Sequence, residues 1–522
     1  MKLSFDKLRV PFCALSGALT ALSFTFEGLW GISFFSLVPL IIACLTDKTR
    51  KKRRIVLNLM LFSFFFYPIL LHWLYPMICT HSGTTPFISR LLFAGGMIFI
   101  CLIMGAYFSL ALIMFQKLKK GTLADVIFFS FMFIFAEWLQ EVLYPAAFPW
   151  GRLASIVTPF TSFIQSASIL GSLFVSLLIV IINGSIAYAL INIKNKKRFL
   201  SAVGLAAGIF AANTLFGMTV SSRELDPQLD VTMIQGNFSG DVKWETSAEE
   251  ILDTYIELTE KNITSETELV IYSETAIPLD FFMNDDYRKR IISLAVENRV
   301  TIIIGILWTE GSLNYNSMIA VNPDGSLSNI YNKQKLVPVG EYIPCRSIFG
   351  GLAESIFERS AEFEEGEKPY PLYTDMCDVC PIICYESIFP SIAREAVKQG
   401  GEYIAVGSND SWFGTSIALY QHHSQSILRA VENRRYLLRC SSTGITSIIS
   451  PYGEITATVP KLERCALNGK FDRLTGTTLY NRIGDIIIVP SVIFILMGII
   501  CGIKQRKSES RTEGETSNNE GA

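Results

Sequence analysis

Charge is scarce in this chain. Only 18% of its 522 residues are Asp, Glu, Lys or Arg, and the two signs nearly cancel to a net −2. No general field exists to gather nucleic acid. Histidine is scarcer still, four in all, and beyond residue 220 only His422 and His423 remain. A reaction housed there has almost no imidazole to use. Eleven cysteines are spread along the whole length, without the density of a disulfide scaffold. Cys377-x-x-Cys380 has no second pair to complete a zinc site, so no metal is expected. Hydrophobic residues are what the chain has in quantity, 50% of the total. That composition suits a membrane protein with a soluble part.

A bilayer-crossing helix needs about 20 apolar residues. Seven such runs precede residue 220: Val10 to Glu27, Leu29 to Leu45, Ile55 to Ile78, Leu91 to Phe115, Leu123 to Tyr144, Ser166 to Ile193 and Phe199 to Val220. An eighth runs from Ile486 to Ile503. Lys and Arg gather at alternate junctions: Lys2 to Arg9, Lys48 to Arg54, Lys117 to Lys120, Lys194 to Arg198 and Lys504 to Lys507. The positive-inside rule makes each of these junctions cytoplasmic, with consistent parity through eight spans. The region between spans seven and eight then lies outside the cytoplasmic membrane. The basic run at Lys48 is an orienting loop on this reading. A cleaved signal peptide is the alternative for the first span, but no clean cleavage site ends it.

Within the spans, Glu137 is the notable charge; it either serves a function or reaches toward head groups. The aromatic loop Ala147-Phe148-Pro149-Trp150-Gly151 either anchors at the interface or lines a lipid path. A transporter is disfavoured, because few ionisable residues lie in the spans and no repeat of broken helices is evident.

From Leu229 the pattern changes to β-branched runs alternating with helical stretches, which argues a layered α/β domain with a mixed sheet. Asn322-Pro323-Asp324-Gly325 reads as the turn of a hairpin. Three strand ends carry chemistry: Glu274 after Leu269 to Tyr272, the lysines after Tyr331, and Cys384-Tyr385-Glu386 after Val379 to Ile383. A thiol attacks as thiolate; a neighbouring ammonium favours that form, and a carboxylate moves the proton. For a lone Cys384, burial as a small hydrophobe is the competing reading.

Glu274, Lys333 in Tyr-x-Lys-x-x-Leu-Val-Pro-x-Gly-Glu, and Cys384 in Cys-Tyr-Glu resemble the Glu-Lys-Cys triad of the nitrilase superfamily. With the spans, Phe148-Pro149-Trp150, Gln235-Gly236-Asn237, Trp244, Asn316-Ser317, Asn409-Asp410-x-Trp412-Phe413-Gly414 and Gln421-His422, the chain resembles the apolipoprotein N-acyltransferase family up to about Ile503. The resemblance implies a multi-pass α-helical membrane bundle plus an α/β nitrilase-type α-β-β-α sandwich. Expected divisions are a seven-span block at 1–220, an extracytoplasmic catalytic domain at 221–485, an eighth helix at 486–503 and a polar cytoplasmic tail at 504–522.

It further implies transfer of an acyl chain from a phospholipid, through a Cys384 thioester, to the amine of a diacylglyceryl-cysteine on an apolipoprotein, with no cofactor. Glu274 is the expected general base, Lys333 the oxyanion partner, and Glu341 the residue that holds Lys333. Tyr385, Glu386 and Trp244 are expected to line the site. Lys335 competes with Lys333 for its role, and Val339 stands where the family more often has Phe. A membrane-tethered amidase acting on a small amide is the alternative function. Arg346 to Lys368 is a candidate lipid-handling arm. Cys377 and Cys380 are expected as unpaired thiols, with a disulfide as the alternative outside the cytoplasm. His422 is expected to hydrogen-bond at a helix start.

Overall fold

The computed structural model describes residues 5–26, 28–49, 51–81, 84–143, 146–223, 225–239, 243, 246–343, 346 and 362–500. Trp244, Pro344, residues 347–361 of the candidate arm, the last residues of the eighth span and the tail lie outside them.

Five described helices are long and apolar enough to cross a membrane: Leu8–Thr25, Lys52–Leu70, Pro86–Leu118, Ser172–Ile191 and Lys196–Ser221. The second expected span is broken instead into Trp30–Ile32, Ser33–Ser36 and Val38–Thr46. Asn183, from Ser172–Ile191, accepts from Leu37 N at 2.9 Å and donates to the Ser33 carbonyl at 2.8 Å. A side-chain amide thus meets the backbone groups that the break frees, as an apolar setting demands.

The fifth expected span, Ala124–Val142, carries Asp125, Glu137 and Glu141, all buried. Glu137 accepts from Leu153 N at 3.0 Å, and Glu141 pairs with Arg152 at 2.6 Å. Glu137 therefore braces the segment after Trp150 rather than reaching toward head groups. A shorter apolar helix, Ile486–Ile500, closes the described chain.

The remaining chain forms two six-stranded sheets. In chain order the strands are β1 (Leu229–Gln235), β2 (Thr267–Tyr272), β3 (Thr301–Glu310), β4 (Leu313–Val321), β5 (Tyr331–Asn332), β6 (Leu372–Tyr373), β7 (Asp378–Ile383), β8 (Tyr403–Ser408), β9 (Leu437–Ser441), β10 (Ser447–Ile449), β11 (Ile455–Thr458) and β12 (Cys465–Phe471). The sheet orders are β12-β1-β2-β3-β4-β5 and β11-β10-β9-β8-β7-β6. Each has three parallel central strands and antiparallel flanks. The two half-domains mirror each other.

Strands covered on both faces read as unbroken apolar runs, which is why Val379 to Ile383 shows no alternation. Between the sheets lie Val231, Met233, Ile271, Ile303 and Met318 from one and Val379, Ile383, Ala405 and Leu438 from the other. Full burial of each such aliphatic chain contributes about 1.5–3 kcal/mol. Helices Ala248–Asn262 and Asp285–Asn298 cover the outer face of the first sheet. Their starts are capped by Ser247, accepting from Glu250 N at 3.2 Å, and Asn284, accepting from Tyr287 N at 2.9 Å. Helices Pro390–Lys398 and Ala418–Asn433 cover the second sheet and pack in one cluster with the N-terminal helices. The fold is an apolar helical bundle joined to an α-β-β-α sandwich.

The expected turn at Asn322 is present, with Gly325 at φ +84° and its N–H on the Asn322 carbonyl at 2.9 Å.

Candidate active site

Four strand ends converge. Glu274 lies two residues beyond β2, Lys333 follows β5, Cys384 follows β7 and Asn409 follows β8. Glu274, Cys384 and Asn409 follow the C-terminal ends of parallel strands, where open α/β sheets present their sites, and Lys333 joins them from the antiparallel flank.

Glu274 Oε1 accepts from Lys333 Nζ at 2.9 Å and from Asn316 Nδ2 at 2.8 Å; its Oε2 accepts from Asn409 N at 2.8 Å. Lys333 Nζ also donates to Glu341 Oε1 at 2.8 Å, and Glu341 Oε2 accepts from Val337 N at 2.8 Å. Asn316 donates to Glu341 as well, at 2.8 Å. One ammonium therefore sits between two carboxylates that a single amide ties together. Lys335 points elsewhere, with its amine 5.8 Å from the centre of the Phe389 ring.

All three central groups are nearly or fully buried: Lys333 is 1% exposed, Glu274 6% and Cys384 9%. Burial pushes the Glu274 carboxyl up, but the Lys333 ammonium and its hydrogen bonds outweigh burial and hold it below the ordinary range. Burial likewise works against the Lys333 charge, and Glu274 and Glu341 overcome it, raising Lys333 well above its usual value. The Cys384 thiol is raised by burial and then by the Glu274 charge, with Lys333 opposing. At neutral pH the resting site holds a thiol, a carboxylate and an ammonium, so Glu274 is free to take the thiol proton.

Cys384 stands at φ +49°, in the left-handed region, where the strand turns into the short helix Cys384–Ile388. Such a conformation at a non-glycine residue costs on the order of 1 kcal/mol and persists only when the surroundings impose it. His422 packs against this turn. Its Nε2 lies 3.1 Å from the Cys384 carbonyl and 2.8 Å from Ser387 Oγ, and its Nδ1 lies 2.9 Å from Asp410. Asp410 accepts in turn from Arg439 at 2.8 Å, Ser408 at 2.8 Å and Ser441 at 2.9 Å. Burial and the Arg439 guanidinium hold His422 below the ordinary imidazole range.

The Cys384 thiol, Asp410 and His422 offer three donor atoms within 4.8 Å. Both Asp410 oxygens already accept from the Arg439 cation, so this cluster is a hydrogen-bonded brace and poorly suited to a metal. The nine described cysteines, Cys377, Cys380 and Cys384 among them, are free.

Glu386 does something other than line the site. Its Oε1 accepts from Tyr331 at 2.9 Å and Gln334 N at 2.6 Å, and its Oε2 from Ile383 N at 2.8 Å. It clamps the chain on both sides of Lys333 to the strand that delivers Cys384. Tyr385 is buried and donates to the Ala147 carbonyl at 3.4 Å. The aromatic loop of the bundle therefore reaches the residue next to Cys384. Val339 adopts φ +70°, unusual for a β-branched residue.

The sequence reading gave no role to Asn316, Asn409, Asp410 or Lys243. The first three stood inside quoted motifs. Lys243 is buried and donates to the carbonyl of Thr275, beside Glu274; burial lowers its amine to about 8. The stretch around it carried no strand-end signal.

Residues 16–185 match the family model described as apolipoprotein N-acyltransferase N-terminal domain, and residues 230–473 the model described as carbon-nitrogen hydrolase. A Geobacter metallireducens protein named apolipoprotein N-acyltransferase is 28% identical over 505 residues, covering 93% of this chain and 95% of that protein. One of the same name from Shewanella oneidensis is 26% identical, covering 97% and 98%. The chain is similar to proteins of this name over nearly its whole length. Among solved structures, an amidase from Nesterenkonia sp. aligns with 50% of this chain and 94% of its own at 15% identity and a TM-score of 0.36. These likenesses and the five long apolar helices make the chain an acyltransferase with membrane-spanning helices, and the part that matches the carbon-nitrogen hydrolase model holds Glu274, Lys333 and Cys384.

Proposed function

We propose that the chain takes an acyl chain from a phospholipid onto Cys384 as a thioester. It then passes the chain to the α-amine of an N-terminal diacylglyceryl-cysteine on an apolipoprotein. The observation that carries this reading is the burial of Glu274, Lys333 and Cys384 in one cluster, against a loop of the apolar bundle.

Glu274 removes the thiol proton as sulfur attacks the ester carbonyl. The oxyanion develops near the Lys333 ammonium, a positioned cation of the kind that stabilises such charge. The ester C–O bond breaks, and Glu274 returns the proton to the departing lysophospholipid. In the second step the amine attacks the thioester carbonyl. Its proton passes to Glu274 and then to the leaving thiolate, which restores the resting site. Glu341 and Asn316 hold Lys333 and Glu274 in register throughout.

Charge parity supports placing the catalytic domain, about 221–485, on the extracytoplasmic face. A Ser312→Cys variant in the β3–β4 turn then reacts with an impermeant maleimide from outside intact cells; labelling only after lysis contradicts this orientation.

Intact-mass measurement of purified protein incubated with phospholipid tests the chemistry. A hydroxylamine-labile gain of one acyl mass is expected, and Cys384→Ala lacks it. No adduct in folded protein moves the assignment to an amidase acting on a small amide.

A further inference from the structure

The end of β8 lies beside Cys384. Ile383 pairs with Gly407 in the parallel register of β7 and β8, so the next residues along, Cys384 and Ser408, fall side by side on strands about 4.8 Å apart. Ser408 is fully buried. Its hydroxyl bears on the Cys384 sulfur and favours the ionised form of the thiol.

Ser408 has one hydrogen to give, and in the resting site it gives it to Asp410 Oδ1 at 2.8 Å. Its oxygen accepts from Arg439 Nη2 at 3.2 Å, and a cation that donates to a hydroxyl strengthens what the hydroxyl donates in turn. Asp410 does not depend on Ser408. Arg439 reaches both Asp410 oxygens, at 3.1 and 2.8 Å, and Ser441 donates at 2.9 Å. The Cys384 sulfur lies within 4.8 Å of the same carboxylate, so rotation about the Ser408 C–O bond is enough to redirect the O–H from carboxylate to sulfur.

Sulfur carries negative charge twice in the reaction, when Glu274 has taken the thiol proton and when the amine displaces the thioester. A buried thiolate without a donor is costly. Lys333 is held between Glu274 and Glu341 at 2.9 and 2.8 Å, and the oxyanion draws on its charge at the same moment. A neutral donor outside that ion cluster meets what the sulfur needs.

We propose that Ser408 is a further catalytic residue, whose O–H turns from Asp410 to the Cys384 sulfur as the thiolate forms and turns back when the thiol is restored. Ser408 keeps its proton throughout, and every proton that leaves or reaches the sulfur passes through Glu274. The assignment rests on the Cys384 thioester reading above.

Full-length protein in detergent micelles is followed at Cys384 in three reactions: alkylation by iodoacetamide, acylation by p-nitrophenyl hexanoate, and release of the preformed thioester by hydroxylamine. Each places charge on the sulfur. Losing a hydrogen bond to a charged atom slows all three about 10- to 100-fold in Ser408→Ala. Ser441→Ala loses a bond of the same kind to Asp410 and reports that brace alone, with a loss about tenfold smaller. Ser408→Cys, a weaker donor of similar shape, falls between wild type and Ser408→Ala and replaces the alanine variant if that does not fold. Rates within about twofold of wild type in each Ser408 variant that folds, or equal losses in Ser408→Ala and Ser441→Ala, overturn the assignment. Wild-type protein that is alkylated at Cys384 but gains no hydroxylamine-labile mass from the ester overturns instead the thioester reading on which it depends.

Discussion

The Trp150 indole donates to Gln421 Oε1 at 2.8 Å, across 271 positions of sequence. Trp73 donates to the same oxygen at 3.1 Å, and Gln421 Nε2 donates to the Leu70 carbonyl at 3.3 Å. One glutamine on the sandwich thus docks two parts of the bundle. The next residue is His422, which stacks on Trp150 with ring centroids 5.6 Å apart. Trp150 of the bundle and Cys384 are therefore two contacts apart.

Gln421→Leu leaves two buried indole N–H groups without an acceptor, each costing about 1–3 kcal/mol. The thermal midpoint in detergent falls by an amount equivalent to roughly 2–4 kcal/mol, and Trp73→Phe, which removes one donor with its partner intact, costs about half as much. Equal midpoints for wild type and Gln421→Leu would remove the glutamine from any docking role.

Gly305 lies under Glu274. A Cβ there meets the Ser273 carbonyl and Thr275 N at 2.7 Å and Glu274 Cα at 2.8 Å, all backbone atoms that have no flexible end to yield. Gly305→Ala displaces Glu274 from its partners, and a misplacement near 1 Å costs on the order of 100-fold in rate. Gly204→Ala, with nothing within 4 Å of its Cβ, is the control. Thioester formation measured for both variants checks the contrast; a Gly305→Ala protein with wild-type rate refutes it.

Glu386 gives the stability a pH dependence of defined sign. Burial pushes its carboxyl up to about 7, although the Gln334 and Ile383 N–H groups and the Tyr331 hydroxyl favour the charge. Since the unfolded value is near 4.3, the folded protein holds a proton between about pH 4 and 7 that the unfolded chain has lost. Stability present at low pH is lost as pH rises through about 7, by on the order of 3 kcal/mol for this one group. Thermal midpoints across pH 5–8 then fall more steeply in wild type than in Glu386→Gln. An amide in place of the carboxyl group cannot accept from both backbone donors, so the variant's midpoint is lower at every pH. Parallel slopes in the two proteins exclude the titration.

Glu274 and Cys384 stood out because chemistry at a strand end interrupts an apolar run, and each does so abruptly; Lys333 was separated from Lys335 only by the family resemblance. Alternating strand and helix patterns gave a layered α/β domain with a mixed sheet, while the α-β-β-α sandwich came from the family resemblance. The clamp that Glu386 makes was hidden because its partners include backbone N–H groups, whose direction depends on how the loops after β5 and β7 fold. The Trp150–Gln421 contact joins elements with no sequence relation. The broken second span was hidden because Asn183, which makes the break tolerable, lies in a different helix. The fifth expected span owed its length to apolar residues, while its carboxylates found buried partners only in the folded bundle.

His422 separates positioning from chemistry. It touches the Cys384 carbonyl and Ser387 through one nitrogen and Asp410 through the other, so neither nitrogen is left for the thiol proton. Its effect runs through the strained backbone at Cys384, which it pins. His422→Gln is expected to slow thioester formation about 10- to 100-fold by letting the nucleophile drift. The acid limb of the rate profile belongs to Glu274, whose depressed value keeps it ionised across the neutral range; activity is lost only as pH falls below the ordinary carboxylate range. That limb stays in place in His422→Gln. Glu274→Gln instead removes the base and costs about 10²- to 10⁴-fold at every pH. A shifted acid limb in His422→Gln, or a loss as complete as that of Cys384→Ala, makes the imidazole part of the proton transfer and ends the positioning assignment.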